Sequence, residues 1–475
     1  MSVETKPAGA PVKFTLKDYK SDLHNDWCPG CVAPDTRVVM ADGNSRPIAD
    51  VVAGDRVIGH DGEPHAVLAA TSHRHNDTMR GIKVRGHGTL VITRDHPMFI
   101  VPREDALERH PESLAKWIPA GDVREGDYVA YPQGALVTPG AHIDHPPIVF
   151  RSILENHEIE YDGIVHNLEV AESNSYLTVG ATLHNCGDFG ILTGVQMALA
   201  QLNLDPDKVA CFSGIGCSGK TPHYVKAYGF HTLHGRVLPV ATGGRLVNSA
   251  VTVLAMGGDG DGYGIGAGYF VNSGRRNLDF TYIVHNNNVY GLTKGQASPT
   301  LAKGKKTKSM PEQAIQDGIN PIAMAVAAGY TFIARAYALE PKYLAGIIAK
   351  AIEHKGSALV DVLQTCPTYN DLYTKEWYEG ADLPEKKSRL YKLEEQGYDG
   401  KVADVTDKAE IIRKKAAAVA KSYETEPIPV GIYYQAELPT YEDGVNARIP
   451  TLAEKPLVDV DTFHRDVTPL LDAMR

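Results

Sequence analysis

The chain has 475 residues and a formal net charge of −10, with 43% hydrophobic and 22% charged residues. This length suits two or three domains of ordinary globular composition, and the acidic balance argues against a general nucleic-acid or membrane-surface binder. No uninterrupted apolar run approaches about 18 residues, and no apolar segment follows Met1, so we expect a cytoplasmic protein without a membrane span or secretory signal. In that compartment cysteines bind metal or perform chemistry more often than they form disulfides.

Two fragments of one short cysteine motif lie far apart in the sequence. The first, Trp27-Cys28-Pro29-Gly30, is followed by Cys31, and the second is Cys186-Gly187-Asp188-Phe189-Gly190. Removing the 155 residues 31–185 joins them as Trp-Cys-Pro-Gly-Cys-Gly-Asp-Phe-Gly, with two cysteines at Cys-x-x-Cys spacing. We therefore predict an insertion (residues 31–185) that excises itself from a host part (residues 1–30 and 186–475).

The insertion has the pattern of an all-β domain. The turn pairs Asp42-Gly43, Asp61-Gly62 and Asp162-Gly163 separate short alternating runs such as 37–40 and 89–92. From residue 187 onward, strand-like and helix-like segments alternate instead. This change of pattern at both ends favours an independent domain.

The start of the insertion carries the groups that a first cleavage step needs. Cys31 is able to attack the carbonyl of Gly30 and so turn that amide into a thioester. An amide nitrogen leaves poorly unless it is protonated and the carbonyl is polarised. Thr93 and His96 are predicted to supply a hydrogen bond and a general acid for this purpose.

The end of the insertion carries the groups for the remaining steps. Cys186 takes over the acyl group by transthioesterification, and Asn185 cyclises onto its own carbonyl to cut the chain before Cys186. His184 is predicted to protonate the leaving amine. The thioester between Gly30 and Cys186 is then expected to rearrange to a peptide bond.

The insertion resembles an intein of the Hint fold. Four blocks carry the resemblance, in the order of that family: 31–38, 90–97, 165–170 and 181–186. No homing-endonuclease motif is evident, so the resemblance is to a mini-intein. Asn167 stands where such inteins often have an acidic residue or Cys, and Asn174 stands where they often have His. We therefore expect C-terminal cleavage to depend on His184 or to be slow. A Hint domain that cleaves without ligating is the alternative, and the presence of both Asn185 and Cys186 favours ligation.

The host part, 320 residues together, has an α/β pattern. Leu192, Val195, Leu199 and Leu202 recur at helical spacing and predict an amphipathic helix after Gly190. Strands are predicted at 209–213, 251–256, 281–284 and 358–363, with helices near 320–335 and 342–354 between the last two. This alternation favours a mostly parallel sheet with helices on both faces.

A glycine-rich run, Gly258-Asp259-Gly260-Asp261, follows the second of these strands, and Asn287 follows the third. Glycines at the carboxyl end of a strand let the backbone approach a phosphate, and carboxylate and amide oxygens suit Mg²⁺ that bridges a diphosphate. A lone Gly-Asp-Gly usually marks a tight turn, but the paired Asn makes the pattern more specific. The pair resembles the thiamine-diphosphate motif, by which Asp259, Asn287 and the carbonyl of Val289 hold Mg²⁺.

After excision, four cysteines suit either a [4Fe–4S] cluster or a structural zinc: Cys28, Cys186, Cys217 and Cys366. Their spacing alone does not decide between the two metals. Cys211 has no motif around it and is predicted to be a small buried residue.

Taken together, the host part resembles the β subunit of 2-oxoacid:ferredoxin oxidoreductases over essentially all of its length. The landmarks are the joined cysteine motif and the runs 214–217, 231–236, 241–243, 258–261 and 290–296. The resemblance implies a thiamine-diphosphate-binding fold, a pocket lined by Gly216 and His234, and a [4Fe–4S] cluster on the four cysteines. It also implies oxidative decarboxylation of a 2-oxoacid to acyl-CoA, with electrons passed to ferredoxin, and an α subunit or α/γ fusion as partner. Helix-end or core packing is the alternative for His234.

The choice of 2-oxoacid rests on Lys294, which stands where pyruvate-type relatives tend to have Gly. A cation there suits the second carboxylate of 2-oxoglutarate, and Lys220 is a second candidate. We therefore favour 2-oxoglutarate, with a pyruvate-type enzyme as the alternative; either lysine is otherwise solvated, or contacts coenzyme A or diphosphate. Two further alternatives are a cluster-free thiamine-diphosphate decarboxylase or carboligase, and a zinc-binding interaction protein with an inert insertion.

Overall fold

The structure is a computed structural model that describes residues 12–21, 30–106, 115–132, 148–171, 175–179, 181–184, 186–307, 309–385, 387–461, 464 and 466–474. These residues form an all-β region within the insertion and an α/β region within the host part. A helix with the length and apolar character needed to cross a bilayer is not found among them.

The described strands of the insertion pair into one antiparallel sheet. They are β1 (Arg37–Val39), β2 (Ser45–Pro47), β3 (Arg56–Ile58), β4 (Pro64–Val84), β5 (Thr89–Ile92), β6 (Pro97–Val101), β7 (Lys116–Pro119), β8 (Tyr128–Pro132), β9 (Ile148–Val170), β10 (Ser175–Thr178) and β11 (Ala181–His184). Their order is β2-β1-β10-β11-β6-β8-β9-β4-β3, with β5 paired to β4 and β7 to β6. The expectation of an inserted all-β domain is confirmed, while its boundaries at 31 and 185 stay a prediction.

A long two-stranded ribbon made by β4 and β9 dominates this sheet. It runs from the pair Val67–Val170 to the pair Val84–Ile153. The turn predicted at Asp162-Gly163 is wrong, because both residues lie inside β9, opposite Asn76 and His75. Asp162 instead forms a cross-strand ion pair with Arg74, at 3.0 Å, which suits a continuous ribbon.

The host part contains strands and helices in alternation. The strands are β12 (Val209–Ser213), β13 (Tyr228–His231), β14 (Thr252–Gly258), β15 (Phe280–Asn286), β16 (Val289–Tyr290), β17 (Gln296–Ala297), β18 (Phe332–Tyr337), β19 (Ser357–Leu363), β20 (Leu390–Lys392) and β21 (Ile428–Gln435). The helices are α1 (Gly187–Gln201), α2 (Thr221–Tyr224), α3 (Val237–Val247), α4 (Ala267–Arg276), α5 (Pro321–Ala328), α6 (Pro341–Glu353), α7 (Lys375–Glu379), α8 (Lys408–Ser422), α9 (Tyr441–Arg448), α10 (Thr451–Glu454) and α11 (Thr468–Ala473).

Eight of these strands form a sheet in the order β13-β12-β14-β15-β19-β18-β21-β20, in which β18 and β21 are the antiparallel pair. Alternate residues of one strand face opposite sides of a sheet. Leu254 and Met256 of β14 pack with α1 and α6 on one side, whereas Val253 and Ala255 pack with α3, α4 and α5 on the other. A mostly parallel sheet with helices on both faces is therefore confirmed.

The predicted strands are present. The helix predicted after Gly190 is α1, which begins earlier, at Gly187, and is buried on almost all sides rather than amphipathic. The helix predicted near 320–335 is wrong beyond its first half. Helix α5 ends at Ala328, followed by Gly329 in the left-handed conformation at φ +90°. Residues 332–337 then form the fully buried strand β18 between β19 and β21. A buried strand has a continuous apolar run, which periodicity alone does not distinguish from a buried helix.

The N-terminal residues of the host part pack onto the part that follows the insertion. Tyr19 is fully buried in the same hydrophobic cluster as α1, and its hydroxyl donates a hydrogen bond to the carbonyl of Leu199 at 3.1 Å. The backbone N–H of Lys226 donates to the carbonyl of Tyr19 at 2.8 Å. The host segments before and after the insertion thus share one hydrophobic core.

Candidate active site and insertion junction

A cleft opens at the carboxyl ends of β14 and β15 in the host part. This is the edge of a parallel sheet where ligands bind in open α/β folds. The cleft is lined by all the residues predicted to bind cofactor or Mg²⁺ at these strand ends: Gly216, His234, Gly258, Asp259, Gly260, Asp261, Asn287 and Val289. Residues selected from separate sequence motifs therefore line one cavity in the structure.

Asp259 and Asn287 directly follow the carboxyl ends of β14 and β15, and both line the cleft. The hydroxyls of Ser298 and Thr300 both donate to the Asp259 carboxylate, and burial raises its pKa to about 6. Asn287 Oδ1 accepts a hydrogen bond from the backbone N–H of Val289 at 3.1 Å, and its amide donates to Gln364 at 2.9 Å. One carboxylate and one amide oxygen are thus held by neighbouring groups at the cleft.

Asp261 holds two loops at the edge of the cleft. Its Oδ1 accepts hydrogen bonds from the backbone N–H groups of Gly235, at 2.7 Å, and Ile215, at 3.2 Å. His234 Nδ1 lies 3.2 Å from the same oxygen. Burial raises the pKa of Asp261, and the two backbone hydrogen bonds oppose that rise. His234 therefore lines the cleft rather than packing in the core.

Several buried polar atoms of the cleft lining have no hydrogen-bond partner among the described residues. They include Ser218 Oγ, His285 Nε2 and Asp261 Oδ2. Buried polar groups are normally satisfied, so these atoms indicate a polar ligand. A Cβ at Gly260 would lie 2.1 Å from the Tyr290 ring, so only glycine fits at this point of the loop. The orphan polar atoms of the lining therefore fit a polar ligand.

A buried pair that no sequence motif marks connects the split motif to the cleft. Asp188 Oδ1 lies 2.5 Å from His285 Nδ1, and both side chains are almost fully buried. His285 immediately precedes Asn286 and Asn287 at the end of β15, a position that in retrospect marks it as part of the lining.

Three of the four predicted cluster cysteines lie close together. A Cβ at Gly291 would be 3.5 Å from the sulfur of Cys217 and 3.9 Å from that of Cys366. Burial raises the pKa of Cys186, and the nearby Asp188, Cys366 and Cys217 raise it further. Cys28 lies outside the described residues. Among those residues, no three His, Cys, Asp or Glu side chains are grouped as a metal-ion site. Cys211 is buried within β12, as predicted.

Lys294 differs from the expected enclosed cation. It is exposed, it does not line the cleft, and its backbone adopts φ +85°, a conformation that residues other than glycine rarely adopt. Its backbone N–H donates to the carbonyl of Gly291 at 3.0 Å, which fixes it directly beside the cleft loop. Lys220 is half-buried.

The first junction of the insertion is tightly enclosed. The backbone N–H of Cys31 donates to Thr93 Oγ1 at 2.7 Å, and the N–H of Thr93 donates back to the carbonyl of Cys31 at 2.9 Å. A Cβ at residue 30 would lie 1.5 Å from Thr93 Oγ1, so only glycine fits before Cys31. The structure thus brings Gly30, Cys31 and Thr93 together as predicted.

His96 is fully buried next to this junction. Its ring lies 6.3 Å from that of Tyr176, whose hydroxyl donates to Asn167 Oδ1 at 3.0 Å. His184 ends β11, but its side chain is not described, and Asn174 and Asn185 lie outside the described residues. Tyr176 was not predicted, because the sequence gives no sign that it would contact Asn167.

Two families match the host part. The family described as "Thiamine pyrophosphate enzyme, C-terminal TPP binding domain" matches residues 214–362. A second family, the C-terminal region of the "Pyruvate ferredoxin oxidoreductase beta subunit", matches residues 366–448.

Individual proteins give longer matches. The "2-oxoacid:ferredoxin oxidoreductase subunit beta" of Saccharolobus solfataricus is 52% identical over 275 residues, which are 57% of this chain and 87% of the relative. The structure of 2-oxoglutarate:ferredoxin oxidoreductase from Magnetococcus marinus, with 2-oxoglutarate, coenzyme A and succinyl-CoA bound, is 33% identical, with a TM-score of 0.52, and covers 61% of this chain and 90% of its own. The Ssp DnaB mini-intein variant M86 is 14% identical, with a TM-score of 0.26, and covers 33% of this chain and 93% of its own.

Proposed function

This chain belongs to the family of 2-oxoacid:ferredoxin oxidoreductase β subunits, and we propose that it is the precursor of such a subunit for 2-oxoglutarate, from which residues 31–185 excise themselves by protein splicing. The host part is accordingly a subunit of a thiamine-diphosphate-dependent enzyme, and the family disfavours a zinc-binding interaction protein and a cluster-free decarboxylase. The observation that carries the proposal is the insertion's position, between two cysteines of one sequence motif. The second half of that motif contains Asp188, whose side chain contacts His285 in the lining of the cleft.

The cleft is the proposed site of thiamine diphosphate, which supplies an electron sink for decarboxylation when bound. Asp259, Asn287 and the carbonyl of Val289 would hold Mg²⁺, because they offer the oxygen ligands this ion prefers. Ser218 and His285 have buried polar atoms in need of a partner, which supports a polar cofactor here. Gly260 makes room for the Tyr290 ring, and both residues line this cleft.

Cys28, Cys186, Cys217 and Cys366 are the proposed ligands of a [4Fe–4S] cluster that passes electrons to ferredoxin. The proximity of Cys186, Cys217 and Cys366 supports this set, because three thiols from separate parts of the chain converge. Before excision, Cys31 stands in the sequence position that Cys186 takes afterwards. The mature motif therefore exists only in the spliced chain.

The proposed substrate is 2-oxoglutarate, with coenzyme A as acyl acceptor and an α subunit, or α/γ fusion, to complete the site. Lys294 supports this choice because a left-handed backbone conformation is costly for lysine, and such strain persists mainly where a side chain has a task. Its exposure in the isolated subunit is compatible with enclosure by the α subunit. The pyruvate-type alternative predicts no role for this cation.

Splicing is proposed from the geometry of the first junction. Thr93 Oγ1 accepts a hydrogen bond from the nitrogen of the peptide bond that must break, so it fixes that bond relative to Cys31. His96 is the proposed acid for the leaving amine, while His184, Asn185 and Cys186 complete cleavage and ligation. The glycine before Cys31 makes room for the Thr93 side chain at this peptide bond.

The test of the enzymatic proposal is a rate comparison on the spliced chain, assembled with its α subunit. Ferredoxin reduction is measured with 2-oxoglutarate and with pyruvate, in the presence of coenzyme A. We expect a clear preference for 2-oxoglutarate in kcat/KM. A clear preference for pyruvate would overturn the substrate assignment, and no reduction with any 2-oxoacid would overturn the proposed activity.

A further inference from the structure

The sulfur of Cys31 faces an imidazole that no sequence motif marks. Sγ lies 3.9 Å from Nδ1 of His73, which stands 42 residues later on β4. The sheet explains this approach: Val32 bridges to His166 on β9, and the neighbouring Val165 pairs with His73 across the ribbon. The contact therefore follows from the register of β4 against β9 and from the isolated bridge at Val32.

The sulfur is buried, largely among apolar side chains. Cys31 is 6% exposed and packs with Met79 and Val165. Burial raises the pKa of the Cys31 thiol to about 12, so the thiol stays protonated near neutral pH. The thiolate, not the thiol, is the effective nucleophile. An attack by Cys31 on the Gly30 carbonyl therefore needs a base at the sulfur.

We propose that His73 is this base: it accepts the Cys31 thiol proton as the thioester forms. This inference rests on the splicing activity proposed above. The proton moves from Sγ to Nδ1, the sulfur bonds to the carbonyl carbon of Gly30, and the C–N bond between Gly30 and Cys31 breaks. The freed amine takes a proton from His96, so no oxidant or reductant is required and the atoms balance.

His75 provides a matched control for His73. It lies two residues further along β4, on the same face of the ribbon, with its ring 6.3 Å from that of His73. Its ring lies 6.4 Å from Tyr161, and its contacts within the described part of the chain do not include the sulfur of Cys31. A substitution at 75 therefore tests the effect of altering the ribbon without removing the base.

The experiment uses the full-length chain with Asn185→Ala, which blocks C-terminal cleavage. Hydroxylamine is added to cleave the thioester, and intact mass follows release of residues 1–30. Because general acid–base catalysis contributes about 10²–10⁴-fold, His73→Gln should slow release at least about tenfold. His75→Gln should stay within about twofold of the parent, and added imidazole should restore part of the rate of His73→Ala. Melting temperatures of the variants establish that each one is folded.

Three results would overturn the inference. The first is release at the parent rate from His73→Gln, and the second is an equal slowing by His73→Gln and His75→Gln, which indicates a structural effect. The third is no release from the Asn185→Ala parent itself, with Cys31→Ala as the blank. That third result removes the splicing proposal as well, whereas the first two remove only the role of His73.

Discussion

Glu169 and Thr193 join the insertion to the host part: the Thr193 hydroxyl donates a hydrogen bond to the Glu169 carboxyl group, and both side chains are buried. Glu169 lies near the end of β9, and Thr193 lies in α1, the helix that begins directly after Cys186. The contact therefore holds the strand ribbon of the insertion against the first helix of the host part that follows it.

This contact should make the precursor's stability depend on pH. Burial raises the pKa of Glu169 from its ordinary value of 4.5 to about 7, so the folded precursor favours the neutral carboxyl. The contribution is fully present below about pH 4.5 and is lost as the pH rises through about 7. In the unspliced variant with Cys31→Ala and Asn185→Ala, Glu169→Gln should flatten the fall in melting temperature between about pH 4.5 and 7.

Glu160→Gln is the control for that experiment, because Glu160 lies on the same strand but is exposed. It should leave the pH profile of melting unchanged. If Glu169→Gln and its parent gave the same profile, the buried carboxyl would have no part in the pH dependence.

The iron–sulfur assignment predicts the effect of Cys217→Ser. A serine hydroxyl is a poor substitute for a thiolate ligand, so the purified spliced protein should lose its brown colour and most of its iron. Cys211→Ala is the matched control, since Cys211 is a buried cysteine of β12, and it should retain both. Iron content and visible absorbance are measured for each protein. The assignment would be refuted by full retention of iron in Cys217→Ser, or by zinc in place of iron in the unaltered protein.

The cofactor site predicts weaker binding after Asp259→Asn. The substitution keeps the size of the side chain but removes the charge offered to Mg²⁺. Since altering even an outer partner of a metal ligand costs about 10–100-fold, the Kd for thiamine diphosphate should rise at least about tenfold. Titration calorimetry with Mg²⁺ present measures this Kd. Chelation of Mg²⁺ should raise the Kd of the unaltered protein for thiamine diphosphate by a similar factor. Asp207→Asn, at an exposed site, should bind normally; unchanged binding by Asp259→Asn would exclude Asp259 as a ligand.

Lys294→Gly separates backbone strain from substrate recognition. Glycine adopts φ +85° readily, so the variant should be at least as stable as its parent. Its kcat/KM for 2-oxoglutarate should nevertheless fall about tenfold or more, because a hydrogen bond between charged groups is worth about 1.5–3 kcal/mol. Activity with pyruvate should not fall. An equal effect on the two substrates would mean that Lys294 does not recognise the second carboxylate.

The fold was predictable where hydrophobic patterning and glycines agree. Buried apolar runs predicted β12, β14, β15 and β19, and the glycines after β14 predicted the cleft. The same apolar character led to a wrong helix prediction at 332–337, where the buried strand β18 follows helix α5 after a short turn. Asp162-Gly163 misled for a different reason, because a turn-forming pair there serves a cross-strand ion pair with Arg74.

The candidate site was predictable where residues lie in a local motif. Gly30, Cys31 and Thr93 meet as expected, as do the strand-end residues around Asp259. His73 was not predictable, because only the register of β4 against β9 brings it to Cys31. Asp188 and His285 meet across 97 residues, a distance that no local spacing reveals.

The order of events predicts that the precursor is inactive as an oxidoreductase. The variant with Cys31→Ala and Asn185→Ala retains the insertion, which separates Cys28 from Cys186 in the chain. Assembled with the α subunit, it should show no 2-oxoacid-dependent ferredoxin reduction, while the spliced chain is active. Full activity of the unspliced variant would show that the intact motif is not required.

Intact mass after expression tests the central claim most directly. The account predicts a 320-residue species, a free 155-residue fragment, and a peptide in which Gly30 is bonded to Cys186. A sole species of 51.5 kDa, or three separate pieces without that bond, would contradict self-excision with ligation.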